Sequence, residues 1–219
     1  MNVNRWAVTG GWALTAAGAV GAAAAVFLIV VPPAVGPDAF SFPLTSTGHI
    51  LAQIAFFLHH LLVVWGLLAF WRAGLAGRGV VAAIGGIGSA GAMAALAVQE
   101  LVSATASQAA YPSAQTDVIE SVYGILTLVT GAALVVLGLA AVRARVLVGV
   151  SRLIVLILGI FVFVPLTPAI FGPFALGRVA IGVWLLLFAW LGAVMIQWAR
   201  ATDQPHAFPG NVIQSTRST

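Results

Sequence analysis

The sequence predicts an all-α polytopic membrane protein, a six-transmembrane-helix bundle with both termini cytoplasmic. Three observations point there. Six apolar runs have membrane-crossing length. Eight of the nine arginines lie at the N-terminus, in alternate connections or in the C-terminal tail, and four of the five acids (Asp38, Glu100, Asp117, Glu120) lie at the opposite ends of the apolar runs. A hydrocarbon core of about 30 Å is crossed by about 20 apolar residues in helical form.

The first span is expected over roughly 8–31. It follows Arg5 and could pass for a signal peptide. Its apolar stretch continues from Phe27 to Val31, past the Ala/Gly run, so an uncleaved anchor is expected. The second and third spans are placed at roughly 47–71 and 80–104, the fourth at roughly 117–142, and the last two at roughly 149–170 and 176–198. Arg72 and Arg78 flank the 2–3 connection and Arg143 and Arg145 the 4–5 connection, with Arg152 just beyond; Arg200 and Arg217 follow the last span. Positive residues stay on the cytoplasmic side, which sets the orientation. Arg178 is the exception. Trp6, Trp71 and Trp198 stand where interfacial aromatics of the same side belong. The chain then forms one domain, 1–200, in a cell inner (plasma) membrane, followed by a flexible cytoplasmic tail, 201–219, that contains Pro205, His206 and Pro209.

Composition excludes several classes. With 62% hydrophobic and 6% charged residues and a mean hydropathy of +1.11, the chain cannot cover itself in water, so the lipid bilayer is its first partner. The net charge of +4 comes from dispersed arginines, with no basic cluster for a phosphate backbone, so no nucleic-acid partner is expected. Without cysteine there are no disulfides, thiolate metal sites or thiol nucleophiles. No GxSxG, HExxH or phosphate-loop motif occurs, and an enzyme is the least favoured class.

Proline and glycine shape the helices. Pro165, within apolar residues, should kink the fifth helix or end it early, and any freed carbonyl at membrane depth needs a partner inside the protein. The stretches VFLIVVPPAVGPDAF and IFVFVPLTPAIFGPFAL resemble each other and raise the question of a parallel repeat of hairpins 1–2 and 5–6. Gly11, Thr15, Gly18, Ala22 and Ala25 in helix 1 make a small-residue seam. Helix 3 has Gly85, Ser89, Ala92 and Gln99 on one side, and helix 6 has Gly182, Ala189 and Gly192.

The polar residues sort by helical face. Asp117, Glu120, Gly124, Thr127, Gly131 and Gly138 share one helical face, so the acids of helix 4 are expected to point into the bundle with the glycines. His49, Gln53 and His60 share about 40° of helix 2, while His59 points about a quarter turn away. With Gln99 and Glu100 near the outer end of helix 3, and Arg178 at the start of helix 6, these predict an outward-facing pocket. Its candidate binding residues are His49, Gln53, His60, Gln99, Glu100, Asp117, Glu120, Tyr123 and Arg178. The 1–2 connection is placed to lie over its mouth or simply to tie two helices.

Ionisable side chains at such depth are functional candidates, because hydrocarbon disfavours them. The expected role is small-solute, ion or proton handling, with a small cation or polar solute as ligand. The alternative is an accessory subunit or scaffold of a membrane complex, with Arg178 neutralising Glu100 or Glu120 in a static network and another membrane protein as partner. A metal centre is the third reading. His49 and His60 stand about 16 Å apart along one helix, so a single ion would use His49, Glu100 and Glu120. No cofactor is predicted; bis-histidine haem would need ligands on facing helices, whereas every membrane histidine lies on helix 2.

Overall fold

Three of the helices start at residues whose side chains accept from free backbone N–H groups. The computed structural model describes residues 2–203. Asn2 caps α1 (Val3–Val30) by accepting from the Arg5 N–H at 2.9 Å, and Thr45 caps α2 (Ser46–Arg72) by accepting from the Gly48 N–H at 3.1 Å. α3 (Val80–Thr105) starts after Gly79 without a side-chain cap, and α4 (Ala114–Ala144) starts with a reciprocal box between Ser113 and Thr116. α5 (Gly149–Ile170) and α6 (Phe174–Asp203) complete six helices that are long and apolar enough to span a membrane. No strand occurs among the described residues. Most helices extend a few residues beyond the predicted spans, and α6 runs through 201–203, the first residues of the expected tail. The rest of that tail lies outside the described residues.

Each helix packs on its chain neighbours, and α6 closes the ring against α1. The α1–α6 seam follows from the small residues. A Cβ on Gly11 would lie 2.7 Å from the Gly192 carbonyl oxygen, and one on Gly18 would lie 2.7 Å from the Ala189 side chain, so only glycine permits this backbone approach. The Thr15 hydroxyl donates to the Gly11 carbonyl of its own helix at 2.9 Å and also faces the Ala189 carbonyl across the seam at 3.5 Å. At the arginine-bearing end the seam is held by side chains: Asn4 donates to Asp203, and the Thr202 hydroxyl donates to Asn4 at 3.3 Å. There Arg72 lies over Trp71 at 4.9 Å, and Trp6 packs against Trp65 with ring centroids 5.0 Å apart.

The bundle has two levels. Toward the arginine-bearing end the interior is apolar and closed, with Leu14, Leu67, Phe70, Met93, Leu134 and Phe188 all at 1% exposure or less. Ser89 and Thr130 are buried there but bond to carbonyls of their own helices, Gly86 and Leu126. Toward the other end the interior carries histidines, amides and a carboxyl group. That end is capped by loops: Phe40 and Tyr111 donate their backbone N–H groups to the Ala109 and Asp38 carbonyls at 3.1 and 2.7 Å, a short antiparallel bridge between the 1–2 and 3–4 connections.

Pro165 does not end α5. The helix passes through a π turn over Val162–Leu166 and resumes over Thr167–Ile170. The wider turn gives room for the proline ring, and Thr167 satisfies the Val162 carbonyl with both its backbone N–H and its hydroxyl, the latter at 2.6 Å. Upstream, the Val162 N–H bonds to the Gly159 carbonyl, leaving the Leu158 carbonyl to accept from the Trp184 indole of α6 at 3.0 Å. In α1, by contrast, the helix stops at Val30 before Pro32-Pro33. The two proline-bearing stretches therefore differ in conformation: one ends its helix ahead of the prolines, and the other carries Pro165 and Pro168 within the helix.

The close approach of α1 and α6 predicts a sharp contrast between two glycines. Gly192→Val should destabilise the bundle by about 1–3 kcal/mol, the usual range for overpacking. Gly91→Val, with nothing near its Cβ position, should leave stability unchanged. Equilibrium unfolding in mixed detergent micelles checks both.

A buried polar file between helices two, three and four

The site grows from the capped end of α2. His49, in the first turn, is 8% exposed; its ring meets that of Phe40 from the 1–2 connection at 5.5 Å and rests on the Ser103 main chain of α3. One turn on, Gln53 donates from its amide nitrogen to the Ser103 hydroxyl at 3.0 Å and lies 3.3 Å from His49 Nε2. Ser103, 1% exposed, also sits beside the Tyr123 hydroxyl of α4. Tyr123 donates to Glu100 Oε2 at 2.7 Å, the short geometry of a bond to a carboxyl group.

Glu100 is 7% exposed, and its other oxygen lies 3.6 Å from His60 Nδ1. The residue levels explain how they meet. In the antiparallel α2–α3 pair, Gln53 faces Ser103, so Glu100 sits near the level of Phe56, a turn above His60. Side chains tilt toward the N-terminus of their helix. In α3 that direction leads into the bundle and in α2 it leads toward the cap, so the two groups reach toward each other.

The two adjacent histidines hold opposite tautomers. His60 Nδ1 donates to the Phe56 carbonyl at 2.8 Å, and His59 Nε2 donates to the Ala17 carbonyl of α1 at 3.0 Å. The rings meet edge to face with centroids 5.2 Å apart. His59 fits against α1 because Gly21 has no side chain; a Cβ there would lie 2.7 Å from His59 Nε2. The file runs from His49 through Gln53, Ser103, Tyr123, Glu100 and His60 to His59, and ends on the apolar level. Two buried acceptors in it, Gln53 Oε1 and His59 Nδ1, have no donor among the described residues.

Arg178 stands at the edge of this file. Its charge acts on Glu100, Tyr123 and His49, but no carboxylate lies within 4.0 Å of it among the described residues, and its guanidinium covers the Phe174 ring at 4.9 Å. Phe174 in turn stacks on Phe42 of the 1–2 connection at 5.4 Å. That connection thus packs over the polar end through Phe40 and Phe42.

Of the nine residues singled out in the sequence, the structure brings together His49, Gln53, His60, Glu100 and Tyr123, with Arg178 at the margin. Gln99 turns to α4 and donates to the Ile119 carbonyl at 3.2 Å. Asp117 and Glu120 do not join: both are exposed. The expected shared face of α4 exists, since Gly131 packs against Val162 and Gly138 against Leu156. Beyond the π turn, however, α5 moves onto α6, and no side chain or backbone lies within 4 Å of a Cβ on Gly124. The acids therefore overhang the end of their neighbour. Glu120 accepts instead from the Tyr111 hydroxyl at 3.4 Å, and its charge, with a lesser effect from burial, pushes that phenol above its ordinary pKa. The static ion pair expected between Arg178 and an acid is not formed, and the metal set His49, Glu100 and Glu120 is not assembled. Among the described residues no three His, Asp or Glu side chains converge for an ion.

Sequence reasoning missed Ser103 and His59 as members of the file. Ser103 was legible, three residues from Glu100 on one helical face. For His59 the signal was the small-residue run in α1, read only as a packing seam. A double-mutant cycle of Tyr123→Phe and Glu100→Gln should give a coupling energy of about 0.6–1.7 kcal/mol, the range for interhelical hydrogen bonds, whereas Tyr123→Phe paired with Glu120→Gln should give none. Comparison with protein-family models, curated proteins and solved structures finds no match for this chain.

Proposed function

We propose that this chain is a multi-pass protein of a cell inner (plasma) membrane, with both termini cytoplasmic, that takes up and releases protons on the polar file from the outward side. The six apolar helices and the alternation of arginines support the orientation. Reporter fusions after Ala76 and Arg145 should give a cytoplasmic signal, and one after Tyr111 an external signal; the reverse pattern would overturn the topology.

The observation that carries the proton reading is the pair of buried acceptors without donors, Gln53 Oε1 and His59 Nδ1, flanking a buried carboxyl group. A purely structural network leaves few such atoms, because each unpaired one costs about 1–3 kcal/mol. Here lone pairs, a carboxyl group and two imidazoles are strung along one line, with Glu100 Oε1 3.6 Å from His60 Nδ1. A proton entering at the His49 end can be held on Glu100 or an imidazole. Among the described residues the buried apolar level below His59 offers no histidine or acid to carry it further, so the file serves binding and release rather than conduction.

A second reading is supported by the bonds Gln53–Ser103, Gln99–Ile119 and His59–Ala17, which tie α2 to α3, α3 to α4 and α1 to α2. They are what a scaffold or accessory subunit of a membrane complex would use. Infrared titration of the purified protein separates the two. Proton handling predicts a pH-dependent carboxyl absorption that persists in Glu120→Gln and disappears in Glu100→Gln. If the Glu100→Gln difference spectrum overlays that of the wild type at every pH and only its stability falls, the scaffold reading stands instead.

A further inference from the structure

We propose that the groove between α1 and α6 at the capped end binds one anionic phospholipid, with its phosphate on the Arg178 guanidinium and an acyl chain along Ala22, Val26, Gly182 and Val183. This inference rests on the membrane-spanning reading of the chain and not on proton handling.

Two independent features meet there. The first is Arg178. It is the fifth residue of α6, about 6 Å below the start of the helix at 1.5 Å per residue, the level of lipid phosphates in a spanning bundle. A guanidinium has five N–H donors in a fork that suits phosphate oxygens. Phe174 covers the flat face of Arg178, which leaves the N–H edge available, and no carboxylate lies within 4.0 Å among the described residues. Although the protein surrounds most of it, part of its surface stays open.

The second is a cavity of about 170 Å³ that starts at Arg178 and continues along Val179, Gly182, Val183 and Leu186 of α6, with Ala22, Ala25, Val26 and Ile29 of α1 opposite. It exists because the seam closed by Gly11, Gly18 and Gly192 relaxes toward the capped end. A Cβ on Gly182 would meet the Ala25 side chain only at 3.4 Å, an ordinary contact. The walls are apolar and the rim is exposed, with Val26 at 58% and Leu186 at 53%. A free phosphate ion finds no reason to enter an apolar groove on the lipid-facing surface. A cation above an apolar channel complements an anionic head above an acyl chain.

The test is native mass spectrometry of the detergent-purified protein titrated with phosphatidylglycerol and phosphatidylcholine of identical chains, with inorganic phosphate as competitor. The wild type should bind one phosphatidylglycerol about five- to tenfold more tightly than phosphatidylcholine. Arg178→Gln should lose that preference and Arg178→Lys should keep most of it. Gly182→Leu, which fills the groove, should weaken both lipids while the preference persists. Melting curves in lipid-free detergent establish that each variant is folded, and Val183→Phe replaces Gly182→Leu if that variant is not. An unchanged preference in Arg178→Gln, undiminished binding in a folded groove-filled variant, or competition by millimolar phosphate equal to that of the lipid would each overturn the assignment.

Discussion

In hydrocarbon, a polar atom that turns away from its own protein has nothing to bond, and this constraint is satisfied by the arrangement of the six apolar helices. It makes the backbone helical wherever the sequence is apolar. It sends the Thr15 and Thr130 hydroxyls back to carbonyls of their own helices. It also explains the π turn of α5: Pro165 removes a donor, and the displaced bonding is completed by Thr167 and by the Trp184 indole from α6. A site that could have broken the helix becomes instead the place where two helices are joined.

The same constraint separates the bundle into two levels. Where Leu, Phe and Met fill the interior, the helices need no polar contacts and close around one another. Where His49, Gln53, Glu100 and His60 enter, each group must meet another from a neighbouring helix, and the file forms because α2, α3 and α4 supply them at matching heights. Glu100 is its centre. The short bond from Tyr123 and the nearby imidazole of His60 compensate a carboxyl group that is almost fully out of contact with the surface. Phe40 and Phe42 bring the 1–2 connection onto this end, so the proposed exchange with the outside passes beneath an aromatic cover.

Arg178 joins two parts of the molecule that otherwise have little in common. On one side its charge reaches the polar file, and on the other it heads an apolar groove between α1 and α6. With a lipid phosphate seated on it, the field at Glu100 and His49 would depend on what occupies the groove. The proton file and the lipid surface would then share one side chain.

The number of helices, their approximate limits and the segregation of arginine were legible in the sequence, because hydrophobic length and charge position are properties of the chain itself. The angular grouping of His49, Gln53 and His60 was legible for the same reason, as was the glycine face of α4. The partner of each face was not. Asp117 and Glu120 share their face with Gly131 and Gly138, yet whether that face is covered depends on how far α5 extends beside it, and the π turn at Pro165 decides that. His59 finds Ala17, and Arg178 goes without an acid, through helix heights and tilts that no periodicity records. The sequence by itself determined which residues would be costly to leave in lipid. Only the tertiary structure decided which of them meet, because meeting depends on the packing of helices far apart in the chain.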